Sequence, residues 1–308
     1  MTYNRKVGLI VPTLNPGDTW KIWLQAFASQ QFKPEYLLVI DSSSTDDTTR
    51  LARAAGFNVL SIQREQFNHG GTRQLGVDKI KNAEIIIFVT QDAIFAASDA
   101  LEKLVIPFLD DKVGAAYGRQ LPHPDARPIG AHARIFNYPP VNRINKLEDA
   151  SKLGIKTAFI SNSFAAYRRS ALLDVGGFPL NTIMMEDTYV TGKMLLAGWK
   201  STYCSDALVY HSHDYRFIEE FRRYFDIGVF HSRESWLRQH FGNPQGEGLR
   251  FVKSELRYLL DNGPKYIPSA FLRTLIKYFG YKLGFAEAFI PHWLKSHLSM
   301  HYRYWQQA

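Results

Sequence analysis

The sequence predicts an α/β protein: a mixed, mainly parallel sheet flanked by helices, followed by a C-terminal helical extension. Two observations predict the sheet. Strand-like and helix-like segments alternate over residues 6–120, the pattern of βαβ units with right-handed crossovers. Within that stretch, Tyr36–Ile40 is a short apolar run that ends on Asp41, the signal of a buried strand. A third observation predicts the extension. From Tyr215 onward the chain reads as four helices, broken near Gly242–Gly248, at Gly263-Pro264 and at Pro291.

The elements follow in order. Lys6–Thr13 is apolar and β-rich. Asp18–Gln30 has helical spacing, with Trp20, Trp23, Leu24 and Phe27 on one side. Thr45–Ala55 reads as a helix for which Ser42–Ser44 offer N-cap hydroxyls. Asn58–Ile62, Glu84–Val89 and Val113–Gly118 are further strands, and Gly71–Lys81 and Ala97–Leu109 further helices. Residues 121–145, rich in Pro, His, Arg and Asn, read as a long irregular loop, a kind of segment that is usually functional. Ala158–Tyr167 returns to a strand pattern. Arg169–Val175 is a short helix stopped by Gly176-Gly177. Glu186–Ala197 is a helix with Val190, Met194 and Leu195 on one face, and Ser201–Tyr210 holds one or two short strands.

Composition narrows the class. At 308 residues, 45% hydrophobic and 21% charged, the chain can fill a core and is not a disordered segment. Its one cysteine, Cys204, excludes an internal disulfide framework and fits a reducing compartment. No signal peptide is visible, and no uninterrupted apolar run reaches the roughly 18 residues of a spanning helix. The expected location is cytoplasmic. Net charge is +8, of which residues 250–308 carry +6 through nine Lys/Arg against three Asp/Glu. No nucleic-acid module accompanies that charge. A basic tail suits an anionic membrane surface or a phosphate-bearing substrate, and also a plain solvated helical face.

Several residues carry candidate chemistry. Phe88–Ala93 is an apolar run ending on Asp92. A carboxylate there lies at the sheet edge where open α/β folds hold ligands, and suits a divalent cation on a diphosphate. An Asp capping the next turn is the plain alternative. Asp41 could accept from a base or ribose, or serve an Asx turn. Asn68–Arg73 opens a helix with two glycines, where Arg73 could reach a phosphate bidentately. Glu186-Asp187 sits at a helix start, where acids are favoured in any case; as a pair they could divide the work of a general base. His211 and His213 share one side of an extended chain and could complete a metal site. Over 271–283, Phe271, Leu272, Leu275, Ile276, Phe279 and Leu283 form an apolar stripe opposite Arg273 and Lys277. Trp293, Trp305, Tyr302 and Tyr304 add aromatics of the interfacial kind. Contact with a membrane surface is one reading of this tail; packing on the catalytic domain or on a second copy is the other.

Eight motifs in order resemble the family 2 glycosyltransferases, which have the GT-A fold, and most of all their bacterial rhamnosyltransferase branch of O-antigen and capsular polysaccharide synthesis. They are Val11–Asn15, Val39–Ser44, Phe67–Arg73, Thr90–Ala93, Tyr117–Pro122, Ile160–Ser163, Met185–Asp187 and His211–His213, spread over roughly residues 5–235. The resemblance implies a catalytic domain over 1–214, with its nucleotide part about 1–120 and acceptor part about 121–214, and a helical region over 215–308. It implies that Pro12, Thr13 and Asp41 line the base and ribose, with Arg73, Gln91 and Asp92 on the rest of the donor. It also implies a divalent cation, Mg²⁺ or Mn²⁺, on Asp92 with His213 or His211, and Asp187 as catalytic base beside Glu186. The family's metal motif is Asp-x-Asp; here Thr90 stands first.

The implied reaction is inverting transfer of L-rhamnose from dTDP-β-L-rhamnose to a hydroxyl of a polyprenyl-diphosphate-linked glycan, at the inner membrane face. Two rivals stay open: a GT-A transferase with another donor such as a UDP-hexose, and an inactive scaffold subunit of a polysaccharide assembly complex.

Overall fold

The computed structural model describes residues 5–242 and 246–307. Its strands are β1 (Val7–Thr13), β2 (Tyr36–Asp41), β3 (Asn58–Ser61), β4 (Ile85–Val89), β5 (Ile94–Phe95), β6 (Val113–Leu121), β7 (Arg143–Asn145), β8 (Phe164–Arg168) and β9 (Lys200–Tyr210). They form one sheet in the order β3-β2-β1-β4-β8-β6-β9-β5, with β7 beside β9. The β3-β2-β1-β4 half is parallel, β8 runs antiparallel to both β4 and β6, and β6 and β9 are parallel. The first-half helices are α1 (Asp18–Ala28), α2 (Thr48–Ala54), α3 (His69–Lys79) and α4 (Ala100–Val105). The middle holds α5 (Pro128–Asn137), α6 (Ala150–Leu153), α7 (Arg169–Asp174) and α8 (Glu186–Leu196). The last third holds α9 (Phe217–Arg233), α10 (Ser235–Phe241), α11 (Glu247–Asn262), α12 (Ile267–Phe285), α13 (His292–Leu298) and α14 (Tyr304–Gln307).

Side-chain alternation along the strands builds two cores. Leu9, Val11, Ile85 and Ile87 face one side, against Trp20, Trp23 and Phe27 of α1. Ile10, Ile86 and Phe88 face the other, against Val77 of α3 and Val190 and Met194 of α8. Every residue of β4 is buried, as expected for a strand covered on both faces. A third core lies under the C-terminal helices. There Phe225, Val229 and Phe230 meet Leu195, Leu237 and Trp305.

The structure corrects four expectations. Residues 121–145 are not a loop, because α5 and β7 lie inside them. Pro128 begins α5, where its fixed φ suits a helix and its missing N–H costs nothing. Ser42–Ser44 do not cap α2. Asp46 does that local work, accepting from the Thr48 N–H at 3.1 Å, while Ser43 sits at φ 64°. The region after Tyr215 has six helices among the described residues. Finally, Trp305 is 1% exposed, a core residue and not an interfacial one.

Helix α12 is inverted relative to an ordinary amphipathic helix. Its basic face points inward: Arg273 Nη1 lies 2.7 Å and Lys277 Nζ 3.3 Å from the Glu220 carboxylate. Its apolar face points outward, with Phe271 67%, Phe279 60% and Leu272 45% exposed. Glycine explains the choice of buried side. A Cβ on Gly284 would lie 1.9 Å from the Phe225 carbonyl, and one on Gly280 2.6 Å from that of Phe221. Backbone packs on backbone there, so the bulky residues stand on the other face.

Candidate active site

The sheet edge opens into a cavity of about 590 Å³. Its walls combine Thr90 and Asp92 after β4, Arg134 of α5, Asp187 of α8, and residues of α9 and α12. The C-terminal helices therefore build part of the site.

The acid pair is set by a strained turn. Met185 adopts φ 59° immediately before α8, a conformation that costs a non-glycine residue about 1 kcal/mol. Glu186 and Asp187 follow and both reach the cavity. Glu186 is 4% and Arg73 5% exposed, and they pair at 3.1 Å. Arg73 also donates to the His69 carbonyl at 2.8 Å. Arg73 Nη1 is thus tied to Glu186, a partner the sequence did not suggest, while the residue lines the cavity. At the start of α3 the Asn68 side chain caps the helix, accepting from the Gly71 N–H at 2.9 Å. Gly70 allows this helix start to approach: a Cβ there would meet the Pro179 carbonyl at 1.8 Å.

Asn162 fixes both acids. Its side-chain amide donates to Glu186 Oε1 at 2.8 Å, and its backbone N–H to Asp187 Oδ2 at 3.0 Å. The Tyr167 hydroxyl donates to Asn162 Oδ1 at 2.8 Å. Burial opposes ionisation of both acids, but Arg73, His69 and Asn162 hold Glu186 below its usual range. Burial, and then the Glu186 charge, push Asp187 up to about 7. One acid is thereby committed as an anion and its neighbour is poised to exchange a proton near neutrality.

The second cluster is Asp92, His211 and His213, whose ligand atoms lie within 4.8 Å of one another. Thr90 Oγ1 donates to Asp92 Oδ1 at 2.6 Å. That leaves Oδ2 toward His211 Nε2 at 3.4 Å and His213 Nε2 at 3.7 Å. The position where an acid was expected thus orients the remaining one. Gln120 then sets a tautomer. Arg134 Nη1 can only donate, so Gln120 presents its oxygen to it at 2.7 Å. The same oxygen faces His211 Nδ1 at 2.8 Å, so Nδ1 carries the proton and Nε2 turns a lone pair inward.

Burial pushes His211 down against the pull of Asp92; burial and the His211 charge push His213 to about 4. Both imidazoles are neutral at pH 7. Burial would raise Asp92, but in the acid range where it titrates His211, then protonated, and the Thr90 hydroxyl outweigh it and hold the carboxyl well below its usual range. A carboxylate and two neutral imidazoles converging on one point fit a divalent transition metal.

The nucleotide-side candidates sit at the ends of β1, β2 and β4. Thr13 Oγ1 donates to Asp41 Oδ1 at 3.0 Å, and the Ser44 N–H to Asp41 Oδ2 at 2.9 Å. Pro12 lies next to Thr13 on β1 and is half-buried. The Gln91 amide exchanges two hydrogen bonds with the Leu14 backbone, at 2.7 and 3.1 Å, so it fastens the β1–α1 loop. These four residues lie outside the walls of the cavity that holds the acids. Sequence reasoning gave no role to Asn162 or Gln120, although both stand in motifs it singled out. Arg134 stands in the 121–145 stretch that, by sequence, could shape an acceptor site, whereas nothing local marks Arg223, which long-range folding brings to the cavity.

The profile of Glycosyl transferase family 2 matches residues 9–176. This chain belongs to that family. The transferase is 49% identical to RfbN, an O-antigen chain rhamnosyltransferase of Salmonella typhimurium, over 97% of this chain and 96% of that protein. It is 48% identical to WbaN, a rhamnosyltransferase of the same description from Salmonella anatum, over 96% of this chain and 95% of that one. Among solved structures, the transferase resembles the mannosyltransferase PcManGT of Pyrobaculum calidifontis, determined with GDP-Man and Mn²⁺. The TM-score is 0.60 at 19% identity, over 99% of this chain and 86% of that chain. The transferase has the GT-A fold expected of it, and its class as an enzyme is that of a glycosyltransferase.

Proposed function

We propose that this transferase moves L-rhamnose from dTDP-β-L-rhamnose, with inversion, to a hydroxyl of a lipid-linked glycan in O-antigen synthesis. The observation that carries the sugar assignment is near-half identity, over almost the whole chain, to two proteins named O-antigen chain rhamnosyltransferases. The geometry supports the chemistry. Asp187, half-buried at the cavity and raised to about 7, accepts the proton of the acceptor hydroxyl as that oxygen attacks the anomeric carbon. Glu186, tied to Arg73, holds the helix start and keeps Asp187 basic.

Asp92, His211 and His213 would hold the divalent cation, which when bound offsets charge on the departing diphosphate. Two imidazoles in the set favour Mn²⁺ over the oxygen-preferring Mg²⁺. For the base and ribose our candidates are Thr13 and Asp41, joined side chain to side chain at the ends of β1 and β2.

No helix among the described residues is long and apolar enough to cross a membrane. The outward stripe of α12, flanked by exposed Lys282 and by Lys253 and Arg257 of α11, suits an anionic bilayer surface, so we place the transferase peripherally at the inner membrane face. A donor screen tests the function. Protein is titrated with dTDP-L-rhamnose, UDP-glucose, UDP-galactose, UDP-N-acetylglucosamine and GDP-mannose, with and without Mn²⁺. Selective, Mn²⁺-strengthened binding of dTDP-L-rhamnose is the expected result, and preference for a UDP sugar overturns the donor assignment.

A further inference from the structure

Most charged side chains of the cavity are matched in pairs. Arg73 is taken by Glu186, and Arg273 and Lys277 by Glu220. Three arginines of the lining form no salt bridge among the described residues; Arg127 is exposed, which leaves two inside. Among the described residues neither Arg134 nor Arg223 forms a salt bridge, yet both line the cavity. Arg134 spends one nitrogen on the Gln120 oxygen, while its Nε is buried without a hydrogen-bond partner. Arg223 lies over the Tyr215 ring at 5.7 Å. A half-buried guanidinium without a counter-charge is costly unless an anion meets it.

The two arginines come from different elements, α5 and α9, and converge. His213 and Tyr138 each lie within electrostatic reach of both, and Tyr138 also within reach of Asp187. Both arginines therefore line the same cavity as the base and the metal-type cluster, a cavity whose walls do not include Thr13 or Asp41. The helix packed on α9 adds a second fact. Ser269, Arg273 and Lys277 of α12 line the same cavity, while the opposite face of that helix exposes Phe271, Leu275 and Phe279. One helix thus separates an anion-seeking space from an unpartnered apolar surface, by the width of about 10 Å that a helix has. An acceptor with a sugar, an anionic linker and a long apolar chain has that same order of parts.

We propose that Arg134 and Arg223 seat a second diphosphate, the one joining the acceptor sugar to its lipid, distinct from the donor diphosphate on Asp92, His211 and His213. The inference rests on the lipid-linked acceptor of the proposed function, and it names the residues that recognise that acceptor. Guanidinium forks bind phosphate oxygens bidentately, which fits two arginines on one diphosphate.

The chemistry has two possible sources, the acceptor and the donor, and calorimetry separates them. The full chain, in Mn²⁺, is titrated with farnesyl diphosphate, farnesol and dTDP, as are Arg223→Ala, Arg134→Ala and the charge-keeping Arg223→Lys. Wild type is expected to bind farnesyl diphosphate more tightly than farnesol. Each alanine variant should lose about 10- to 100-fold of that affinity, Arg223→Lys should lose less, and the dTDP affinity of the two Arg223 variants, which touch no metal-cluster partner, should stay within about threefold. Equal losses for dTDP and farnesyl diphosphate in Arg223→Ala would assign the arginines to the donor and overturn the proposal. So would wild-type binding of farnesol as tight as that of farnesyl diphosphate, or alanine variants that bind like wild type. Melting curves identify any variant that fails to fold, and Arg223→Lys then decides. The donor screen is independent: if it rejects dTDP-L-rhamnose while farnesyl diphosphate still needs both arginines, the donor assignment falls and this inference stands.

Discussion

Arg73 pairs with Glu186 and not with the adjacent Asp187. The guanidinium lies 3.1 Å from Glu186 Oε1, whereas Asp187 is held by backbone N–H groups, Asn162 at 3.0 Å and Thr188 at 2.7 Å. The cation settles which acid stays charged for structural reasons and which remains free to take a proton. Backbone donors orient the second acid without neutralising it.

Asp187→Asn should abolish transfer, by about 10²-fold or more, the range expected for loss of a general base. The wild-type pH profile should show the base. Asp187 must be ionised to act and its carboxyl is raised to about 7, so kcat/KM for the acceptor should fall as pH drops below 7. Glu186→Gln removes the negative neighbour that holds Asp187 up, and should move that limb to lower pH. An acid limb unchanged in Glu186→Gln would show that the two carboxyls are not coupled.

The pair is also a stability element. Both side chains are 6% exposed, and breaking a buried ion pair from one side typically costs about 3–5 kcal/mol. Arg73→Met should therefore lower Tm more than Glu186→Gln does, since it leaves the anion unpaired beside a second carboxyl. Thermal melts at pH 8 measure the difference. A melting point like that of wild type for Arg73→Met would refute the assigned role.

Metal affinity should depend on residues outside the ligand set. Gln120→Leu removes the acceptor that fixes the proton on His211 Nδ1, and Thr90→Val removes the hydroxyl that orients Asp92. Each should weaken Mn²⁺ binding about 10- to 100-fold, the usual effect of losing an outer partner. His213→Ala and Asp92→Ala should weaken it further. Electron paramagnetic resonance of free Mn²⁺ reads this without turnover, and an unchanged Kd in Gln120→Leu would sink the tautomer argument.

The outward face of α12 predicts a separation of function. Phe271→Asp with Phe279→Asp should abolish co-sedimentation with vesicles of anionic phospholipid and leave Tm within about 2 °C, because these side chains touch little of the protein. Retained binding would move the contact elsewhere.

Much of the fold was legible because periodicity and strand ends are local. Apolar runs closing on Asp41 and Asp92 located the sheet edge, and Glu186-Asp187 stood where a helix had to begin. What local pattern could not give were facts set by distant partners. Proline-rich composition hid α5, whose Ala131 and His132 are buried in the folded chain. Arg73 read as a donor ligand, but its ion-pair partner Glu186 stands on a helix far along the chain and could not be seen locally. The stripe on α12 was visible, but its direction was not, since Gly280 and Gly284 decide it through α9.

That inverted helix has a practical consequence for handling the protein. In a buffer without lipid, the exposed Phe271, Phe279, Phe289 and Trp293 have only other copies of the chain to cover them. Purified material is then expected to be polydisperse, to sharpen in mild detergent, and to show a particle size that follows protein concentration. An oligomer measured in plain buffer would report the missing bilayer as much as any built interface.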